Sequence, residues 1–277
     1  MEQSVAHPDK QPVKLYWWAS RPNFGDDLSR DVVSFVAGRD VVWTKPVRAD
    51  LFAIGSIMSL ARKGALGRGS SHKPMIWGSG CLEPLAADFV ETLQPPKTVR
   101  GPITASLLNL RGVTYGDPGI LAAKVHARSE PQQDIIGIVP HHTEVDDPAI
   151  QNLVGSDPRF RLIDTRRPAK VVCDEIAACC VVFSSSLHGL IVADSYGVAN
   201  HWFAHKEIHT KPGLKFYDYA TGIERALPMP LGVDDIAQKA KQEPPATLTY
   251  QDGIERSQSN LLESFSTNSQ ETELHHA

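Results

Sequence analysis

Short apolar runs alternate with stretches of helical periodicity along most of this chain, and Gly, Pro and Ser punctuate the joins. The runs predict strands over residues 14–18, 40–44, 50–54, 74–77 and 97–100, then over 134–139, 160–163, 178–184 and 200–204. Residues 26–36, 102–110, 168–177 and 188–196 carry apolar side chains at helical spacing. Pro102 and Pro168 suit first-turn positions, where a missing N–H has no intrahelical partner to lose. A chain that runs strand, helix, strand lays successive strands in the same direction, so parallel sheets covered on both faces follow.

A polar segment, 127–134, separates the two series and holds Pro131. The chain has 277 residues, and single cores stop growing at roughly 250–300 residues. The expected architecture is therefore α/β, with two Rossmann-like lobes facing a cleft. The lobes are expected at 12–126 and 134–241, followed by a C-terminal helix over 250–266 and a flexible polar tail over 267–277. Ile254, Leu261, Leu262 and Phe265 supply the helical spacing.

Composition narrows the class. Hydrophobic residues make up 42% and charged residues 22%, which excludes a mostly disordered chain. Lys and Arg number 28 against 32 Asp and Glu, a formal net charge of -4. No basic surplus exists to track polyphosphate, so nucleic acid is excluded as the main partner. A local basic pocket for one small anion stays allowed. Residues 1–11 lack the pattern of a signal peptide, and the longest apolar run, 176–183, falls short of the ~18 residues that span a bilayer. The expected location is cytoplasmic. Cys81, Cys173, Cys179 and Cys180 read as reduced thiols, the last two inside an apolar strand, and no Cys-x-x-Cys pair suggests zinc.

In open parallel sheets, ligands bind beyond the carboxyl ends of the strands. Two strands here run into small residues, Gly55 and Ser56 in one case and Gly78, Ser79 and Gly80 in the other. Either pair alone reads as an ordinary tight turn. Two in one half point to a backbone that a ligand can approach closely. In the second half a strand stops at Ser184, Ser185 and Ser186, and a helix starts through Leu187, His188 and Gly189. Free N–H groups and the positive dipole end make such a start an anion site, and His188 titrates near neutrality. The competing reading is a capped helix whose histidine packs on the sheet.

Arg100 ends another first-half strand and offers a planar donor fork to carboxylate or phosphate, unless it serves a surface salt bridge. Asn23 and Asp26 follow the first strand, where Asp26 either takes a proton or caps a helix. Asp117, between Gly116 and Pro118, faces the cleft or merely forms a turn. Arg166 and Arg167 form a small basic patch before a helix. His141 and His142 follow a strand and read as a solvated turn. His201, His205 and His209 recur every fourth residue, but a strand over 200–204 scatters them, so no metal is expected.

Taken in order, these segments resemble the polysaccharide pyruvyl transferase family, closest to the ketal-pyruvate transferases of bacterial exopolysaccharide synthesis. The resembling pieces are Asn23 to Asp26, Gly55 and Ser56, Trp77 to Gly80, Arg100 to Pro102, Gly116 to Pro118, Ser184 to Gly189 and Lys215 to Tyr219. The resemblance implies a glycosyltransferase-B-like fold and transfer of the pyruvyl unit of phosphoenolpyruvate onto two hydroxyls of a hexose, giving a pyruvate ketal and phosphate. It needs no cofactor. The acceptor would be a lipid-linked oligosaccharide, with transient contact at the inner membrane face.

The resemblance carries catalysis to His188 and donor binding to Arg100, joined by Ser184, Ser185, Ser186, Gly189, Arg166 and Arg167. Many members hold an arginine two residues before the histidine, where this chain has Ser186, and Arg166 or Arg167 is the expected replacement. His188 would protonate the donor's methylene and Asp26 would take the hydroxyl proton. Two other functions fit the same architecture: a glycosyltransferase using a nucleotide sugar, and a non-catalytic carbohydrate-binding relative.

Overall fold

The computed structural model describes residues 11–67, 73–205, 213–242, 244–245 and 247–274. The amino-terminal sheet is ordered β2-β1-β3-β4, from β1 (Val13–Tyr16), β2 (Val41–Trp43), β3 (Leu51–Phe52) and β4 (Met75–Ile76). A parallel bridge from Trp77 to Thr98 carries it on to β5 (Thr98–Val99), which pairs with β6 (Thr114–Tyr115). The second sheet, β10-β9-β7-β8, is built from β7 (Ile136–Val139), β8 (Phe160–Leu162), β9 (Val181–Ser184) and β10 (Ala199–Trp202). Every strand pair among the described residues is parallel. The expected α/β architecture of two Rossmann-like lobes is the observed one.

Helices connect the strands: α1 (Phe24–Ala37), α2 (Met58–Leu66), α3 (Pro102–Leu107), α4 (Ala122–Val125), α5 (Pro148–Gly155), α6 (Ala169–Ala178), α7 (Leu187–Ser195), α8 (Leu214–Gly222), α9 (Val233–Lys239) and α10 (Gln251–Leu274). α1 starts at Asn23, whose side chain accepts from the Gly25 N–H, and it stops at Gly38 in the left-handed conformation. Helix α7 differs in kind. All its residues from Leu187 to Asp194 are buried, so it is apolar all round and lies within the core.

Some elements depart from the sequence expectations. Helix α6 ends at Ala178, and β9 begins at Val181, so Cys179 and Cys180 form the connection and not the strand. All four thiols are free. Helix α10 continues past residue 266 to Leu274, into the segment expected to be a flexible tail. The N-terminal reading falls on residues 1–10, and the last of the three spaced histidines is His209; both lie outside the described residues. Among the described residues, no helix is long and apolar enough to cross a membrane.

The lobes do not merely face each other. One hydrophobic cluster holds Leu15, Phe24, Leu28 and Val32 from the first lobe together with Val139, Ile163, Val172, Leu187 and Ile191 from the second. The Phe24 N–H donates to the Thr165 carbonyl at 2.9 Å, joining the first turn of α1 to the loop after β8. Helix α10 then crosses between them. It starts beside the second lobe, where the Tyr250 hydroxyl donates to Asp194, and reaches the first, where the Trp77 indole N–H donates to the Leu261 carbonyl at 2.9 Å. Phe265 meets the Trp77 ring edge-on at 5.0 Å.

Candidate functional site

The carboxyl ends of β1, β3, β7 and β9 converge where α1 and α7 begin, and there the sequence places charged groups that the fold then buries. His188, in the first turn of α7, is 8% exposed, and Asp26, in the first turn of α1, is also 8% exposed. Gly25 lets α1 lie against His188. A Cβ at that position would lie 2.1 Å from His188 Nδ1, so only glycine lets the helix backbone lie against the imidazole. The Asn23 amide donates to Asp26 Oδ2 at 2.6 Å, and a Cβ on Gly55 would sit 3.3 Å from Asp26 Oδ1.

Burial sets the protonation states. The His188 imidazole is pulled down to about 3 by desolvation, reinforced by the charges of Lys215 and Arg100. Asp26 is pushed up to about 7 by desolvation, which Asn23 and Lys215 oppose and Asp27 and Asp117 reinforce. Asp117 rises to about 6 by the same desolvation, against the pull of Arg100 and the Gly119 N–H. Lys215 falls to about 8, again by desolvation first and then by Arg100, with Asp26 and Glu144 holding it up. Near neutrality the site therefore holds a neutral histidine, two carboxyl groups able to carry protons and one lysine able to release one.

Lys215, at the start of α8, is the hub that the residue-by-residue reading passed over. Its charge acts on Asp26, His188 and His142, and it feels Glu144. Glu144, from the loop after β7, is 1% exposed; one oxygen accepts from the Ser185 hydroxyl at 2.6 Å and the other has no protein partner. His188 Nε2, His142 Nδ1 and Asp117 Oδ2 are likewise buried without one. The expectation that His141 and His142 form a solvated turn is corrected. The His141 N–H donates to Ser185 Oγ at 2.9 Å, its ring meets Thr143, and the two imidazoles pack at 4.1 Å.

The other expected residues divide between site and scaffold. Arg100 is fully buried, and its guanidinium donates to Asp218, to Ser56 Oγ and to the Cys81 carbonyl. It lends its charge to His188, Lys215 and Asp117 from within the protein. Asp218 also accepts from the Thr104 N–H and hydroxyl, so it locks α8 to α3. Gly80 packs on the Arg100 guanidinium and Gly78, at φ +73°, on Pro118. Ser79 donates to the Gly55 carbonyl. Ser184 donates to the carbonyls of Val139 and Ser186, and a Cβ on Gly189 would strike its hydroxyl at 2.2 Å. Ser186 stands at the start of α7 without a side-chain cap bond.

Arg166 pairs with Asp146 and Asp164, and Arg167 with Glu175, all at the surface. Their guanidinium groups do not join the cluster around His188, whose neighbouring cations are Lys215 and Arg100. His201 lies against the Phe183 ring and His205 against Asp147. Among the described residues, no group of three His, Cys, Asp or Glu side chains is arranged to hold a metal ion.

Gly25→Ala tests the central contact. The new methyl forces the imidazole or the start of α1 to move, and a displacement near 1 Å can cost about 10²-fold in turnover. That loss is expected with a circular dichroism spectrum like that of the parent. Parental turnover would mean that His188 does not work from this position.

No family model matches the chain. The succinoglycan biosynthesis protein ExoV of Rhizobium meliloti (strain 1021) is 29% identical over 226 residues, covering 75% of this chain and 64% of that protein. An uncharacterized protein, L143, of Acanthamoeba polyphaga mimivirus is 32% identical over 176 residues, covering 58% of this chain and 60% of that protein. The chain thus spans less than two thirds of the length of either relative. A functionally uncharacterized protein of Klebsiella pneumoniae aligns in structure with a TM-score of 0.47 at 13% identity, over 75% of this chain and 88% of that one.

Proposed function

We propose that the protein is a carbohydrate-modifying transferase of exopolysaccharide biosynthesis, and that it moves the pyruvyl unit of phosphoenolpyruvate onto a hexose to form a pyruvate ketal. The observation that carries this reading is the buried pair Asp26 and His188 at the facing strand ends of two parallel sheets, with the charge of Lys215 from the start of α8 acting on both. The likeness to a succinoglycan biosynthesis protein supports the polysaccharide context.

The chemistry assigns a role to each group. Forming the ketal adds one proton to the donor's methylene carbon, joins two sugar oxygens to the adjacent carbon and releases phosphate. The two hydroxyl protons balance this, one replacing the proton given to carbon and one leaving with phosphate. In this reading, the protonation states that burial favours change the roles expected from sequence for Asp26 and His188. A histidine held neutral is a poor acid, whereas Asp26, pushed up to about 7, keeps its proton into the neutral range. A bound anionic donor would keep Asp26 protonated more of the time.

Asp26 is therefore the acid toward carbon, and His188, through its unpartnered Nε2, orients the attacking hydroxyl by a hydrogen bond. The departing phosphate takes one hydroxyl proton and Asp26 recovers the other. Lys215 neutralises the donor, standing in for the arginine that Ser186 lacks, and Arg100 deepens the positive field from behind. The acceptor would be lipid-linked, and no cofactor is required.

The deciding assay incubates the protein with phosphoenolpyruvate and oligosaccharide repeat units, then follows phosphate release and the mass of the glycan. A glycan heavier by one pyruvate ketal is expected, and His188→Ala should slow its formation by about 10²–10⁴-fold. Consumption of a nucleotide sugar instead would make the protein a glycosyltransferase. Binding of glycan without turnover of either donor would make it a carbohydrate-binding relative.

A further inference from the structure

We propose that Trp17 and Trp43, backed by the buried Tyr16 and joined by Asp27 at the start of α1, form a subsite that holds a pyranose ring of a glycan against the amino-terminal lobe. This rests on the reading of the protein as a sugar-modifying transferase, and it says where the sugar lies. Strands β1 and β2 are neighbours, and they end at Tyr16 and Trp43, at the ligand-binding end of the sheet. Trp43 is 46% exposed and Trp18, just beyond β1, is 40% exposed. Indole surface of this extent is ordinarily buried in a core or covered by a partner.

The aromatic face is fixed in place. The Trp43 indole N–H donates to the Trp17 carbonyl at 3.1 Å. Its ring leans on Tyr16 at 6.4 Å, and Tyr16 leans in turn on the buried Phe52 at 5.6 Å. A surface held this way loses little conformational freedom when a ligand covers it. Carboxylates continue the face toward the reacting centre. Trp17 lies within hydrogen-bonding reach of Asp27, and the charge of Asp26 is felt at the Tyr16 hydroxyl.

A pyranose has these two aspects: a face of C–H bonds that stacks on an aromatic ring, and a rim of hydroxyls that donate to carboxylates. A ring stacked on Trp43 therefore directs its rim toward Asp27 and, one residue earlier, Asp26. An anionic lipid surface would instead meet the partly exposed Asp27 carboxylate beside the tryptophans, which repels it.

The test labels the indole nitrogens of the five tryptophans and titrates the full chain with β-linked gluco- and galacto-oligosaccharides. Saturable shifts are expected at Trp43 and Trp17, with the buried Trp77 signal unmoved. Trp43→Ala should weaken binding at least about tenfold and Trp43→Phe should restore part of it. Oligosaccharides that leave the Trp43 signal still, binding that survives Trp43→Ala, or a Trp43 response only to phosphatidylglycerol vesicles would each overturn the subsite. The same proteins assayed with phosphoenolpyruvate separate the two claims. Phosphate release with an acceptor KM indifferent to Trp43→Ala removes the subsite and keeps the reaction. Trp43-dependent sugar binding without phosphate release does the reverse.

Discussion

Asp26→Asn is expected to slow turnover by about 10²–10⁴-fold and, in the same protein, to raise stability above pH 7. The sign follows from where the proton sits. Below the ordinary range of an aspartate, both folded and unfolded chains hold the carboxyl protonated, and the group contributes nothing. As pH rises from about 4 to about 7, the unfolded chain ionises while the folded one keeps its proton, so folding loses ground throughout that window. Above it the full cost of a buried charge remains.

Asparagine keeps the shape and cannot ionise. The variant's advantage should therefore be absent in acid, grow through the window and then level off. A tenfold change in proton affinity is worth about 1.4 kcal/mol, so a rise from 3.8 to about 7 sets the plateau on the order of 4 kcal/mol. Asp117 titrates with the same sign, but it is present in both proteins and largely cancels from the difference. Urea unfolding at several pH values measures it. An advantage that shrinks with rising pH, or activity that survives the substitution, would remove Asp26 from the role of buried acid.

The second large effect is structural. Asp194, at the end of α7, is 1% exposed and accepts from the Asn200 amide, the Tyr219 and Tyr250 hydroxyls and the Arg225 guanidinium. These partners come from β10, α8, the chain after α8 and the approach to α10, so one carboxylate joins four segments. Asp194→Ala leaves the 7%-exposed Arg225 without its counter-charge, a loss of about 3–5 kcal/mol. At roughly 2–4 °C per kcal/mol for a chain of this size, Tm should fall by about 6–20 °C. Adding Arg225→Leu should recover part of that, because the uncompensated charge then goes too. A Tm within about 2 °C of the parent would mean that the carboxylate contributes nothing net.

The strand-to-helix alternation was sufficient to read parallel sheets, because buried strands such as β7 and β9 are unbroken apolar runs with Ser, Gly or Pro at their ends. Elements with weaker patterning escaped. Strand β6 has two residues, and α8 mixes aromatic with charged side chains, so neither declares a period. The site was legible where chemistry and punctuation coincided, as at Asp26 after Asn23 and at His188 after three serines.

Lys215 and Glu144 carried no such mark. Their importance comes from the burial of Glu144 and from the charges that the tertiary structure sets around Lys215, namely Arg100, Asp26 and Glu144. Arg100 was visible, yet its three protein partners lie 19, 44 and 118 residues away along the chain. Separations of that kind leave no local trace. The same holds for the proton affinities: sequence gives His188 an ordinary imidazole, and desolvation takes it out of the neutral range.

Helix α10 has a consequence for the order of events at the ribosome. Trp77 is fully buried, and its lid is Leu261 and Phe265, with Leu261 synthesised 184 residues later. The amino-terminal lobe therefore cannot reach its finished form until α10 has left the ribosome. Its central indole waits for that helix, so completion of the first lobe is coupled to synthesis of a segment that lies beyond the whole second lobe.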